Sequence, residues 1–247
     1  MRFSIITPCY KSVKTLRRTY ESLLKQTNND FEWILIDDMS PDGGQTKDLI
    51  LQIKDEAPFK VKYKFLDENH FGSKSTYEAC LIAEGEYACI LDHDDELTFN
   101  ALTIVDRYIE LYQIDSKKNL AGVCGRCVDE NRSFIGRKFK KDCFISNEGS
   151  VRFKMHIYFE LFQFTKIKIL RDSFEKIKPG YTNGYCWADI SKGYDYLYVN
   201  DVLRVYDTFN PLAYSNNKGA ILSYPKNKAD NLKYILECYR DFLWCDV

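Results

Sequence analysis

Along the first hundred residues, short apolar runs alternate with stretches whose apolar positions recur every three to four residues. Phe3 to Thr7 is a β-branched run that Pro8-Cys9-Tyr10 ends, because proline stops a strand and opens a loop. From Val13 to Gln26, Val13, Leu16, Tyr20, Leu23 and Leu24 fall at helical spacing. Phe31 to Ile36 predicts a second buried strand that closes on the Gly/Pro-rich turn from Asp37 to Gly44. Leu49, Ile50 and Ile53 predict a helix, Val61 to Leu66 a third strand, and Ser75 to Glu84 another helix. A fourth run, Tyr87-Ala88-Cys89-Ile90-Leu91, is apolar throughout and ends on Asp92-His93-Asp94-Asp95-Glu96. An alternation of this kind predicts an α/β fold with a mainly parallel sheet and helices on both faces. The first, second and fourth strands then end at one rim, with Tyr10, Asp38 and Asp92 to Asp95 upon it.

Beyond this point the pattern is looser. Ala101 to Tyr112 predicts a helix, Ala121 to Val128 a strand, and Phe134 to Cys143 an antiparallel return through a turn at Asp129-Glu130-Asn131-Arg132. Phe159 to Leu170 predicts a strand and then a helix, Asn183 to Ser191 a helix with Tyr185, Cys186 and Ile190 inward, and Leu197 to Tyr206 a strand pair broken near Asn200-Asp201. From Ala229, Leu232, Ile235, Leu236, Tyr239 and Leu243 make one helical stripe. No repeat or linker is visible, so the 247 residues are expected to form one domain. Residues 1–110 would be the ligand-binding half, 111–225 the opposite half, and 226–247 a terminal amphipathic helix.

Composition narrows the class. The chain is 45% hydrophobic, which excludes disorder, and its formal net charge of -1 argues against nucleic acid as a partner. Among nine cysteines, Cys80, Cys89, Cys124, Cys186 and Cys238 lie inside apolar runs, as buried thiols do in a reducing compartment. Cys124 and Cys127 have knuckle spacing, but there is no second pair and there are three histidines in all, so structural zinc is not expected. No apolar segment approaches membrane-spanning length and the first residues run straight into a strand. The expected location is cytoplasmic, with any membrane contact peripheral.

The acidic run carries the chemistry. Three aspartates packed at a strand end repel one another unless a cation sits among them, and oxygen-rich clusters suit magnesium or manganese. A strand end in an open α/β sheet is also where ligands bind. The residues alone equally permit a solvated turn that caps a helix beginning at Leu97.

Taken in order, Ser4-Ile5-Ile6-Thr7-Pro8-Cys9-Tyr10, Ile34-Leu35-Ile36-Asp37-Asp38-Met39-Ser40, Gly85-Glu86-Tyr87 and Leu91-Asp92-His93-Asp94-Asp95 resemble the successive signatures of family-two glycosyltransferases with the GT-A fold. The resemblance is strongest over residues 1–110 and continues through 122–136 and 187–206, where it is similar to a bacterial-type subgroup that builds surface polysaccharides. It implies transfer of a sugar from a nucleotide diphosphate sugar, UDP first, to a hydroxyl of a glycan or lipid-linked acceptor, with inversion at the anomeric carbon. The donor site would comprise Thr7, Pro8, Tyr10, Asp38, Lys74, Asp92 and His93. Asp94, with Asp92 and Asp95, would hold divalent Mn2+ or Mg2+. Taken singly, Tyr10 also reads as a loop aromatic, Asp38 as a turn former and Lys74 as a surface lysine.

One departure stands out. Similar enzymes carry Glu, or Glu-Asp, about four residues before the aromatic that Trp187 resembles, and here Asn183-Gly184 stands there. Asparagine cannot accept the acceptor's proton. Asp189, further along the same helix, is the expected substitute base, with Glu175 behind it, although Asp189 also reads as an exposed helix carboxylate. The cationic, aromatic region from Phe139 to Lys178 is the expected acceptor side. There Tyr158, Phe162 and Phe164 are either sugar-stacking rings or core. Trp244 with Lys226, Lys228, Lys233 and Arg240 leaves interfacial binding by the tail helix open. The alternatives are a nucleotide-sugar-binding relative without catalysis and a nucleotidyltransferase. The latter usually has a Gly-rich basic loop after strand one, unlike Pro8-Cys9-Tyr10-Lys11.

Overall fold

The computed structural model describes residues 1–209 and 224–243. Nine strands form one sheet: β1 (Phe3–Cys9), β2 (Phe31–Asp37), β3 (Lys60–Phe65), β4 (Tyr87–Ile90), β5 (Glu96–Leu97), β6 (Leu120–Val128), β7 (Cys143–Ser146), β8 (Leu161–Lys166) and β9 (Asp195–Val205). Their order is β3-β2-β1-β4-β8-β6-β9-β5, with β7 also paired to β9. Strands β3, β2, β1 and β4 are mutually parallel. Strand β8 runs antiparallel between β4 and β6, so β4 and β6 end at the same rim.

Helices cover both faces. On one, α1 (Leu16–Leu24), α2 (Gln45–Glu56) and α4 (Ala101–Leu111) bury Leu16, Tyr20, Ile50, Ile53, Leu102 and Val105 against Trp33, Leu35 and Val123. On the other, α3 (Ser73–Ile82), α5 (Ile167–Phe174) and α6 (Gly184–Ser191) bury Cys80, Leu170, Phe174 and Cys186 against Ile34, Ile36 and Cys124. The alternate residues of a strand point to opposite faces, which is why neighbours such as Leu35 and Ile36 belong to different cores. The last helix, α7 (Pro225–Leu243), lies on α6, where Tyr185 and Tyr234 stack at 4.5 Å.

Several expectations change. The segment 13–26 is a short turn at Ser12–Lys14 followed by α1. Of the return expected over Phe134 to Cys143, the turn is present, closed by the Asp129 carboxylate on the Asn131 and Ser133 amides, but pairing stops at a single bridge between Val128 and Phe134. The antiparallel partner is β7, which lies beside β9 rather than β6. The expected pair over Leu197 to Tyr206 is one strand, β9, whose register against β6 slips near Asn200. There the Asn200 amide binds the Phe139 N–H and the Phe139 and Lys141 carbonyls, so a polar side chain interrupts the pattern without ending the strand. Phe162 and Phe164 are core residues, while Tyr158 is exposed. On α7 the stripe divides: Tyr239 is buried, Leu232 and Leu236 are exposed, and Trp244 and the Leu243 side chain lie outside the described residues. No described helix is long and apolar enough to cross a membrane. The described cysteines are free thiols.

Sheet packing leaves no room at Gly122, where a Cβ would sit 1.8 Å from the Phe164 carbonyl oxygen, whereas at Gly193 it would meet nothing within 4 Å. Gly122→Ala is expected to cost about 3 kcal/mol or more in urea unfolding, and Gly193→Ala to stay within about 0.5 kcal/mol of the parent.

Candidate active site

The rim at the ends of β1, β2 and β4 is built by loops that hold strained backbone. Lys11, Met39 and Phe71, one in the loop after each of β1, β2 and β3, have φ of 53°, 54° and 56°. Such conformations persist where the surroundings over-determine them, and they gather at ligand sites. The loops are tied together: the Lys11 N–H donates to Ser40 Oγ at 2.9 Å, and Ser40 donates to Asp37 Oδ1 at 2.6 Å. Asp38 is buried and accepts the His70 N–H at 2.6 Å and the Gly72 N–H at 2.8 Å. It therefore fixes the loop that leads into α3. Tyr10 is partly exposed, with Lys11 Nζ 5.4 Å from its ring, and the proline does not stop β1, which pairs Pro8 with Ile36 and runs on to Cys9. Thr7 lies inside the sheet and accepts from Trp33 Nε1 at 2.8 Å. Lys74, in the first turn of α3, stacks on Tyr77 at 4.7 Å.

The acidic run is not a helix cap. Helix α4 begins at Ala101, Leu97 belongs to β5, and Asp94 and Asp95 are buried. Asp95 is held by Arg204, whose Nη1 lies 3.1 Å from Oδ2, and its Oδ1 accepts the Asp207 N–H at 2.9 Å. The second arm of the Arg204 guanidinium donates to Glu160 at 2.7 Å. Phe162 and Tyr206 flank that guanidinium at 4.9 and 4.7 Å. His93 bonds Thr15 Oγ1 through Nδ1 at 2.8 Å, and burial lowers its pKa. Arg18 reaches the Asp94 carbonyl and pairs with Asp207 at 2.6 Å. Burial, and then the Asp94 charge, pushes Asp92 up to about 6, while burial outweighs Arg204 to hold Asp95 well above the usual carboxylate range.

This arrangement tests the metal expectation. Among the described residues no three metal-ligating groups converge into a cage, and Asp95 is already committed to Arg204. Asp92 and Asp94 are the other two aspartates of the run. Two carboxylates fit magnesium or manganese when substrate phosphates and water complete the octahedron. The residues therefore suit a metal that arrives with a diphosphate.

On the opposite side the expected residues separate. Asn183 caps α6, and its Oδ1 lies 3.3 Å from Ser73 Oγ, which donates to the Tyr181 carbonyl at 2.7 Å. Asp189 accepts from Tyr234 of α7 and pairs at 2.6 Å with Lys192, the residue after α6. Among the described residues, none of its hydrogen bonds or ion pairs reaches the rim aspartates. Glu175, at the end of α5, is exposed. Glu160, immediately before β8, is brought to the rim by the Arg204 guanidinium. It is partly exposed, and among the described residues its second oxygen carries no hydrogen bond.

Residues 4–173 match the family model described as Glycosyl transferase family 2. The chain belongs to that family. Among relatives, it is 31% identical over 146 residues to the poly(ribitol-phosphate) beta-N-acetylglucosaminyltransferase TarP of Staphylococcus aureus, covering 58% of this chain and 41% of that one. It is 27% identical over 220 residues to a GalNAc(5)-diNAcBac-PP-undecaprenol beta-1,3-glucosyltransferase of Campylobacter jejuni, covering 84% and 65%. Each alignment spans less than two thirds of the relative. The fold matches Staphylococcus aureus TarS 1-349 in complex with UDP at TM-score 0.69 and 18% identity, covering 96% of this chain and 65% of that one. It also matches the Pyrobaculum calidifontis mannosyltransferase PcManGT in complex with GDP-Man and Mn2+ at TM-score 0.62 and 15% identity, covering 96% and 63%. The GT-A fold and the mainly parallel mixed sheet expected for the family-two glycosyltransferases are thus the fold observed.

Sequence reasoning missed Arg204, Glu160, Arg18 and Asp207. Arg204 left a trace, a lone arginine inside the apolar run Val202-Leu203-Arg204-Val205. A charge in such a run is retained when it has a buried partner. Replacing Arg204 by Met is expected to cost about 3–5 kcal/mol in urea unfolding, because Asp95 is left as an uncompensated buried charge. The deficit relative to the parent should narrow as pH falls. With its folded pKa raised further, Asp95 protonates more readily in the folded chain, which favours folding at acid pH and disfavours it as pH rises.

Proposed function

We propose that the chain transfers a sugar from a nucleotide diphosphate sugar, UDP first, to a hydroxyl of a glycan or lipid-linked acceptor in surface-polysaccharide synthesis, with a divalent metal and inversion at the anomeric carbon. The observation that carries this reading is the gathering of Asp38, Asp92 and Asp94 at one rim of a family-two fold, beside strained loops. UDP is favoured because a structural neighbour, TarS 1-349, is described with UDP and with UDP-GlcNAc. In this reading Tyr10 offers a face to the base, and Asp38 and the α3 loop it braces border the base and ribose. The first turn of α3, with Lys74, borders the phosphates.

Asp92 and Asp94 would hold the metal, Mn2+ or Mg2+, which would supply neutralisation of the charge that develops on the departing diphosphate. Arg204 holds Asp95, which sets that carboxylate apart from the other two. Deprotonating the acceptor needs a carboxylate on the opposite face of the sugar. Glu160 fits that task better than Asp189, since it stands at the rim with one oxygen fixed by Arg204, while Asp189 is engaged by Lys192 and Tyr234. The Glu160 proton then passes to bulk water, to which its side chain is open.

The test is nucleotide release from a panel of nucleotide diphosphate sugars, with and without acceptor. Release of UDP from one UDP-sugar, lost with chelator, supports the reading; binding without release for every donor identifies a non-catalytic relative instead. Glu160→Gln should lower turnover by about 100-fold or more at unchanged donor affinity, as general-base removal does, while Asp189→Asn stays within about threefold. The reverse ranking assigns the base to Asp189. Asp94→Asn should abolish metal-dependent donor binding, read by calorimetry, while leaving the unfolding midpoint within a few degrees.

A further inference from the structure

The loop between β6 and β7 has no role in the donor site, yet it starts at the same rim. Thr208 donates to Glu130 at 3.1 Å, and Arg132 lies 4.0 Å from Glu96, so its first residues adjoin the acidic run. From Asn131 to Lys141 it carries five cations and no acid. Arg137, Lys138, Lys140 and Lys141 are exposed, and among the described residues none of them has a carboxylate within ion-pair distance. Lysines elsewhere, such as Lys60, Lys62, Lys64 and Lys192, are neutralised by glutamate or aspartate.

These cations are displayed on a fixed frame. Phe139, between them, is buried against Phe144, Phe159 and Tyr198 with ring centroids 5.2, 6.5 and 6.1 Å away. Asn200 binds the Phe139 N–H at 2.8 Å and the Lys141 carbonyl at 2.9 Å. Beneath the loop, Arg126 is buried with Nε and Nη1 unpartnered, its guanidinium 4.3 Å from the exposed ring of Phe134. An uncompensated cation below and four above make this a locally positive surface beside a negative rim.

We propose that the segment 131–141 binds a linear polyanionic acceptor, one whose repeats carry phosphodiester or uronate charge, and delivers its terminal hydroxyl to the rim. The inference rests on the glycosyltransferase reading above and names the acceptor class for it. A linear chain fits better than a bilayer. Lys138 to Lys141 span at most about 10 Å of extended backbone, the width of a strand of polymer. Moreover, the loop's apolar contribution to the surface is chiefly Phe134, which is already stacked on Arg126. Opposite fields steer the substrate: the loop attracts the anionic repeats while the acidic rim repels them, so an uncharged terminal sugar is the part that enters.

The test compares the parent chain with Lys138→Gln/Lys140→Gln/Lys141→Gln and with a control, Lys117→Gln/Lys118→Gln, whose exposed lysines precede β6, at the end of that strand away from the loop. Binding is measured to poly(glycerol phosphate), polygalacturonate, dextran and vesicles of phosphatidylglycerol at several salt concentrations, with UDP-sugar binding measured alongside. The expected result is salt-sensitive binding of one or both polyanions, about tenfold weaker in the triple variant and unchanged in the control, with donor binding and thermal midpoint unchanged. Phosphodiester and uronate are told apart by which probe binds more tightly. Equal polyanion binding by parent and triple variant, equal loss in the control, equal binding of dextran, or binding to vesicles without binding to either polymer would each overturn the proposal. Loss of all donor binding in the parent would instead defeat the glycosyltransferase reading, whatever the polymers do.

Discussion

The pairing of Asp95 with Arg204 is the constraint on which the rim depends. An aspartate and an arginine, each almost fully buried, meet where β4 ends, and the arginine comes from the far end of β9. Neither charge is tolerable without the other, since desolvating an ion costs several kcal/mol that only a close partner returns. The pair therefore joins the β3-β2-β1-β4 part of the sheet to the part beyond β8. It also sorts the acidic run, since it commits Asp95 to architecture. Glu160, on the other arm of the same guanidinium, is positioned by this pairing as well.

A second layer of constraint lies in the loops. Residues in left-handed backbone follow each of the first three strands, and side chains rather than regular pairing hold them: Ser40 for Lys11, Asp38 for the turn around Phe71. The cost of that strain is borne by buried carboxylates, Asp37 within its own loop and Asp38 across to the loop after β3. A rim of this kind is set before a ligand arrives, which reduces what binding must spend on ordering.

The first half of the fold was legible because its information is local. Fully buried parallel strands read as unbroken apolar runs, and Ile34-Leu35-Ile36 or Tyr87 to Leu91 can be little else. The second half was less so. Phe134 to Cys143 looks like a strand because Phe134, Ile135 and Phe139 are apolar, but their partners are a guanidinium and other rings, contacts that no periodicity announces. Asn200 reads as a break because an amide in a strand usually is one; here it satisfies a neighbouring loop. The acidic run was recognisable as chemistry, while its division of labour was not, because Arg204 lies 109 residues from Asp95 in the chain. For the same reason Asp189 stood out by its place in a motif, while Glu160 had nothing local to mark it.

The central claim is that two aspartates, and not three, await a metal that comes with the nucleotide. Electron paramagnetic resonance of Mn2+ titrated into the chain, with and without UDP, tests it most directly. The account predicts one tightly bound Mn2+ in the presence of UDP, little binding in its absence, and loss of the bound signal in Asp94→Asn. Tight Mn2+ binding without nucleotide would contradict the claim, as would UDP binding that is indifferent to Mn2+.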